Sequence, residues 1–301
     1  MRDACSEVVV SLGARARGQV ASDLLALTKP RVVIMVLVTT LVGYHVGLTG
    51  SADYVRVIHL LIGTLLAAGG TLALNQYWER DLDARMLRTR TRPLPAGRLQ
   101  PLEAVTFGVA LTMLGTAYLA ALVGALVALV TMTTAVLYLF AYTPLKPRTP
   151  LCTLVGAVPG ALPPVAGWAA ARGDVTLGAW VLFAILFLWQ LPHTLAIARL
   201  YRDDYARAGV RVLPTIDPDG VSTERQIVLS CLALLSVSLL PAVIGWTGLV
   251  YLVGALALGL AFGAVGIIQA LAPSPRAARH VLVASLLYLP LLFGLLALDR
   301  I

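Results

Sequence analysis

Charge is what this chain has least of. Of its 301 residues, 13% are Asp, Glu, Lys or Arg, against about 25% in soluble domains. That scarcity excludes an ordinary water-soluble globular protein. Cysteine is almost as rare. Cys5, Cys152 and Cys231 are scattered, with no Cys-x-x-Cys or Cys/His spacing, so neither a disulfide framework nor a zinc site is indicated. No Ser/His/Asp or Cys/His set offers a catalytic nucleophile. Residues 1–28 hold no compact apolar run ahead of a cleavage site, so no signal peptide is expected. The net charge is +8, but no soluble basic domain carries it, so nucleic acid is not an expected partner.

Apolar residues are abundant, at 59%. A transmembrane helix takes about 20 of them. Nine such spans can be placed, at 32–48, 58–78, 102–121, 124–142, 151–170, 177–198, 226–244, 247–270 and 280–298. The chain is therefore expected to be an all-α integral membrane protein surrounded by lipid. Charge placement orients it. With a cytoplasmic N-terminus, the inner segments hold 20 of the 23 Lys and Arg, and the outer ones only Arg56, Arg172 and Arg300. The positive-inside rule expects such a split. It predicts nine spans, N-in and C-out, in the cytoplasmic (inner) membrane; eight or ten spans would break the alternation. Residues 1–23 are expected to be a mobile cytoplasmic tail, and 24–301 a single membrane domain.

The few acids are not spread evenly. Two inner loops, 79–101 and 199–225, hold eight of the fifteen, and orientation does not require acids there. Asn75, Glu79 and Asp83 are spaced i, i+4, i+8, one stripe if the second helix continues that far, with Asp81 pointing away. Such oxygen ligands suit Mg²⁺, which takes one or two carboxylates plus substrate phosphates. The second loop supplies Asp203 and Asp204. His193 lies eleven residues before Asp204 and shares its face if the sixth helix continues. Arg88, Arg90, Arg92, Lys146, Arg148, Arg199 and Arg202 crowd the same side. Taken singly, each arginine is better explained by topology. Arginine forks beside metal-binding acids at the mouth of an apolar bundle suggest a diphosphate carrying a long hydrocarbon tail.

Other polar residues within spans are few. His45 and His59 lie near outer ends and are read as structural. Gln190 and His193 flank Pro192 deep in the sixth span. Intramembrane polar groups are functional candidates by default, though a buried His is as often structural. The fifth span carries Pro159, Pro163 and Pro164, with Gly156, Gly160 and Gly167. It either makes room for a bulky flat ligand or packs tightly at the centre.

The stripe followed by RTRTRPLPAG resembles the first aspartate-rich motif of the UbiA superfamily of intramembrane prenyltransferases. The stretches LTKPRVV (27–33), RDLDARMLRTRTRPLPAG (80–97), YTPLKPRTPLCTLVGAVPGALPPVAGW (142–168) and LPHTLAIARLYRDDYARAGVRVLP (191–214) resemble the haem-farnesylating branch more than the quinone-pathway enzymes. The resemblance runs from about residue 24 to the end. It implies a nine-helix bundle with a central cavity. It also implies the reaction: farnesyl diphosphate ionises at a Mg²⁺ site, its C1 adds to a vinyl group of haem b, and water completes a hydroxyethylfarnesyl substituent. Downstream haem-modifying or oxidase-assembly proteins are then implied partners.

Carried over, Asn75, Glu79 and Asp83 would hold the first Mg²⁺, and Asp203 and Asp204 a second. Arg92, Lys146, Arg148 and Arg202 would clamp phosphate. Lys29, Arg31, Arg88, Tyr142 and Arg199 complete the substrate-binding set, and His193 would contact haem or handle a proton. The chain departs from the family pattern in having Glu at 79 where Asp is usual, and an adjacent pair at 203 and 204. The alternatives are a UbiA-type enzyme acting on an aromatic acid or quinone precursor, and a transporter. A transporter is expected to carry charge near the bilayer midplane, whereas these charges cluster at one surface.

Overall fold

A computed structural model describes residues 17–300; residues 1–16 and 301 lie outside it, and with them most of the expected tail. The described chain is helical because lipid offers no water to backbone N–H and C=O groups, so each segment must satisfy its own. The helices are α1 (Arg17–Leu27), α2 (Pro30–Gly47), α3 (Tyr54–Trp78), α4 (Arg80–Arg85), α5 (Pro101–Leu122), α6 (Ala125–Leu145) and α7 (Cys152–Arg172). They continue as α8 (Leu177–Leu200), α9 (Arg202–Ala208), α10 (Leu213–Ile216), α11 (Val221–Val243), α12 (Leu249–Leu271) and α13 (Pro275–Leu298). Among the described residues nine are long and apolar enough to cross a membrane: α2, α3, α5 to α8 and α11 to α13. They coincide with the nine expected spans to within a few residues.

Two local expectations need correction. The boundary drawn at residue 23 falls inside a helix, because α1 begins at Arg17. Asp23 is buried and accepts from Arg98 Nε at 3.0 Å, tying α1 to the loop before α5. The sixth span does not run on to Asp204. Tyr201 leaves helical geometry at φ −113°, ψ 29°, so α9 starts anew and His193 and Asp204 share no continuous face.

Small residues let the spans approach closely, as membrane helices require. A Cβ on Gly70 of α3 would lie 2.5 Å from the Thr112 nitrogen of α5. The proline-rich α7 divides in two. Its helix breaks at Leu162. The half after the break is wholly buried up to Ala170 and packs on α2. The half before it lines a cavity through Gly156 and Gly160.

That cavity, about 510 Å³, is walled by α2, α3, α6, α7, α8 and α13. Helices α5, α11 and α12 stand behind the wall. α6 becomes a π-helix over Leu137–Tyr142, a bulge that often marks functional sites. The bulge sets Tyr138 and Tyr142 on the cavity wall.

Candidate active site

The acid stripe forms as its spacing predicts. α3 ends at Trp78, but Glu79 N–H still bonds Asn75 O at 3.0 Å and Asp83 N–H bonds Glu79 O at 2.8 Å. One helical path thus carries all three side chains, and all three are buried. Asp81 is exposed on the other side, as expected.

Each member of the stripe faces its own cation. Lys29 Nζ donates to Asn75 Oδ1 at 2.9 Å, Lys146 Nζ lies 2.5 Å from Glu79 Oε1, and Arg92 donates to Asp83 Oδ2 at 2.7 Å. The Asn75 amide is oriented by Thr143. The Thr143 hydroxyl donates to Tyr138 O at 2.8 Å, so it accepts from Asn75 Nδ2 at 3.1 Å. That turns an oxygen, not a nitrogen, toward the cation. Lys29 is the only non-glycine among the described residues with positive φ, at 50°. Pro30 follows it and disfavours the α conformation there. Gln76 donates to the Ala26 and Leu27 carbonyls and pins this turn against α3.

The charges tune one another. Burial pulls the Lys29 pKa down to about 8, only partly offset by Glu79. Burial would likewise lower Lys146, but contact with Glu79 outweighs it and holds the ammonium well above its usual range. For Glu79, burial acts to raise the pKa, and Lys146 and Lys29 overcome it. The pair is therefore ionised on both sides. Replacing Lys146 with methionine strands a buried carboxylate and is expected to cost about 3 kcal/mol. Adding Glu79→Gln should recover that stability without recovering activity, a combination checked by thermal unfolding and turnover of the two variants.

The second acidic pair divides. Asp204 is buried and accepts from the Leu87 and Arg88 backbone N–H groups at 3.2 and 3.3 Å, and from Arg207. Burial acts to raise its pKa, but these donors bring it below the usual carboxylate range. Asp204 thus ties α9 to the loop after the stripe, while Asp203 faces solvent. Among the described residues, no three His, Cys, Asp or Glu converge as a metal cage.

The predicted cations divide too. Arg31, Lys146 and Tyr142 line the cavity; Lys29 and Arg92 hold the stripe, which adjoins the cavity through Lys146 at Glu79. Arg199 turns away to Glu224 at 3.2 Å. Arg88 lies over the Tyr201 ring at 5.0 Å, Arg148 is exposed and Arg202 is half-buried. His193 and Gln190 both line the cavity. Sequence reasoning missed Thr143, Tyr138 and Ser285; only Thr143, between Tyr142 and Pro144 in a singled-out stretch, left any signal.

Buried oxygens matched by cations, above a mostly apolar cavity, define a membrane-embedded enzyme for a substrate with an anionic head and an apolar body. The chain belongs to the UbiA prenyltransferase family, whose model matches residues 36–297, and it is a prenyltransferase. It is 51% identical to the protoheme IX farnesyltransferase of Solibacter usitatus, over 92% of this chain and 98% of that one. It is 43% identical to that of Koribacter versatilis, over 92% and 93%. Among solved structures, one of digeranylgeranylglyceryl phosphate synthase matches 93% of this chain and 98% of its own at TM-score 0.78 and 16% identity. A UbiA homolog from Archaeoglobus fulgidus bound to GPP and Mg²⁺ matches 92% and 100% at TM-score 0.64 and 16% identity. These two share the fold.

Proposed function

We propose that this chain moves the farnesyl group of farnesyl diphosphate onto a vinyl group of haem b, with addition of water, releasing diphosphate. One observation carries the reading: three buried oxygen donors, each matched by a cation, one of which, Lys146, also lines an apolar cavity. The names of its relatives supply the acceptor and the prenyl group.

The donor set fits Mg²⁺. Two carboxylates and one amide oxygen on a single helical path leave coordination sites for phosphate oxygens. Asn75, Glu79 and Asp83 would hold the ion; of the second pair, Asp203 is the exposed member and would be the one to meet another ion, since Asp204 is held by the Leu87 and Arg88 N–H groups. Bound Mg²⁺ would offset the charge that grows on the departing diphosphate. Lys29, Lys146 and Arg92, now paired with the stripe, would turn to phosphate oxygens; they are pre-placed donors for developing negative charge. Arg88, Arg148 and Arg202 would extend that clamp, and Arg199 would support it through α8. Tyr138 and Tyr142 wall the cavity and help exclude bulk water from the allylic cation. The basic loops would face the cytoplasm, with the bundle in the inner membrane and the product passed on to oxidase assembly.

The test uses purified protein in detergent with haem b and farnesyl diphosphate, supplied with Mg²⁺ or with EDTA. A farnesylated haem that forms only with Mg²⁺ is the expected result. Prenylation of an aromatic acid but not of haem, under the same conditions, would overturn the acceptor.

A further inference from the structure

Adding farnesyl C1 to the terminal vinyl carbon leaves a cation on the carbon next to the haem ring. That cation takes a water, or it loses a proton from the neighbouring carbon and becomes an alkene. A hydrated product therefore needs one water held in place within a cavity that excludes the rest. The stripe beside the cavity is committed to the diphosphate.

Two residues deep in the wall have the required chemistry. Gln190 and His193 sit one turn apart on the same face of α8 and both line the cavity. The Gln190 amide nitrogen donates to Leu186 O at 3.0 Å and Ala157 O at 3.3 Å. Carbonyls only accept, so both amide protons are used and Oε1 is the remaining polar atom. It lies over Gly160, where a Cβ would come 2.8 Å from the amide carbon. Glycine at 160 leaves that oxygen its place on the wall.

His193 is fixed in a matching way. Its Nδ1 lies 2.8 Å from Ser285 Oγ. The single Ser285 hydroxyl proton goes to Leu282 O at 2.6 Å. Nδ1 must then carry the imidazole proton and donate it, which leaves Nε2 as an acceptor. Trp189 stacks on the ring, with centroids 4.8 Å apart and planes at 20°. Its Nε1 donates to Ser285 O at 2.7 Å, locking the pair to α13.

We propose that Gln190 Oε1 and His193 Nε2 together hold the water that adds to the haem vinyl carbon, with His193 as the base that takes its proton. The proposal rests on the haem farnesylation reading. A water offers two O–H groups, and two acceptors take both, which turns its lone pairs into the cavity toward the cation. The vinyl π electrons form the new C–C bond as the C1–O bond to diphosphate breaks. A water lone pair then forms the C–O bond at the carbon beside the ring. One water proton passes to Nε2 and returns to solvent when the product leaves. Ser285 is a positioning residue that sets the tautomer.

The experiment compares products, not only rates. Full-length enzyme in detergent, with haem b, farnesyl diphosphate, Mg²⁺ and water enriched in heavy oxygen, is analysed by mass for hydrated and alkene adducts. Wild type should give the hydrated adduct carrying the heavy oxygen. Gln190→Leu and His193→Phe should each lower the hydrated-to-alkene ratio about tenfold, as for loss of one well-placed hydrogen bond. Ser285→Ala, a milder change should those variants fold poorly, should shift the ratio in the same direction. A ratio unchanged in all three, with only total turnover reduced, would overturn the proposal and leave these residues as packing. A wild type that makes no farnesylated haem would instead sink the reading beneath it.

Discussion

Asp83→Ala is expected to lower kcat/KM for farnesyl diphosphate by roughly 10²–10³-fold, about 3–4 kcal/mol of transition-state stabilisation. Asp83 is 1% exposed and ends the stripe. Its carboxylate sits 2.7 Å from Arg92, and its carbonyl accepts from the Thr89 hydroxyl at 2.9 Å. Removing it takes away one of two carboxylates in the proposed ion site and leaves Arg92 with no fixed partner there. The variant should also respond far less to added Mg²⁺. Arg92→Ala should weaken turnover less, since Lys29 and Lys146 still face the same anion. If Asp83 and Arg92 act as a unit, the double variant will fall short of the sum of the two losses. Titrating activity against Mg²⁺ in all three checks this. Full Mg²⁺-dependent activity in Asp83→Ala would remove Asp83 from the site.

The second large effect is structural. Gly70→Leu is expected to cost about 3 kcal/mol or more, the upper range for forcing atoms into a packed interior. The nearest atoms to a new Cβ are the Thr112 backbone nitrogen at 2.5 Å, its hydroxyl at 2.5 Å and Gly108 O at 2.6 Å. Backbone cannot rotate aside as a side chain can, so α3 and α5 must separate. α3 also carries Asn75, so the stripe moves with it. Thermal unfolding in detergent measures the cost. Gly263→Ala on α12 is the control, because nothing lies within 4 Å of its added Cβ. It should leave stability equal to wild type or higher by up to about 1 kcal/mol, since alanine is the better helix former. Equal midpoints for Gly70→Leu and wild type would mean that the two helices are not held in close contact.

Some features were legible because they depend on local periodicity. A run of apolar residues long enough to cross lipid has few alternatives, so the nine spans were found near their true ends. A spacing of four keeps side chains on one stripe whenever the helix continues, and backbone bonds carry it through Glu79. Where the helix breaks, the same logic fails. His193 and Asp204 have helical spacing, yet Tyr201 ends α8 between them. Arg199 had the residue type for a phosphate clamp, but a buried Glu224 on α11 takes it. Asp204 had the type for a metal ligand, but two backbone N–H groups of a distant loop occupy it.

By itself, the amino-acid sequence determined the membrane class, the count of spans, the acid stripe and its company of cations. These follow from composition and short-range spacing, which a helix converts directly into geometry. Only the tertiary structure decided which cation meets which acid, that Thr143 turns Asn75 oxygen-first, and that Ser285 sets the His193 tautomer. The Thr143 and Ser285 bonds join residues 68 and 92 positions apart, and the Lys29 pairing joins residues 46 apart. Such bonds arise from the packing of helices on one another, and no local pattern encodes that.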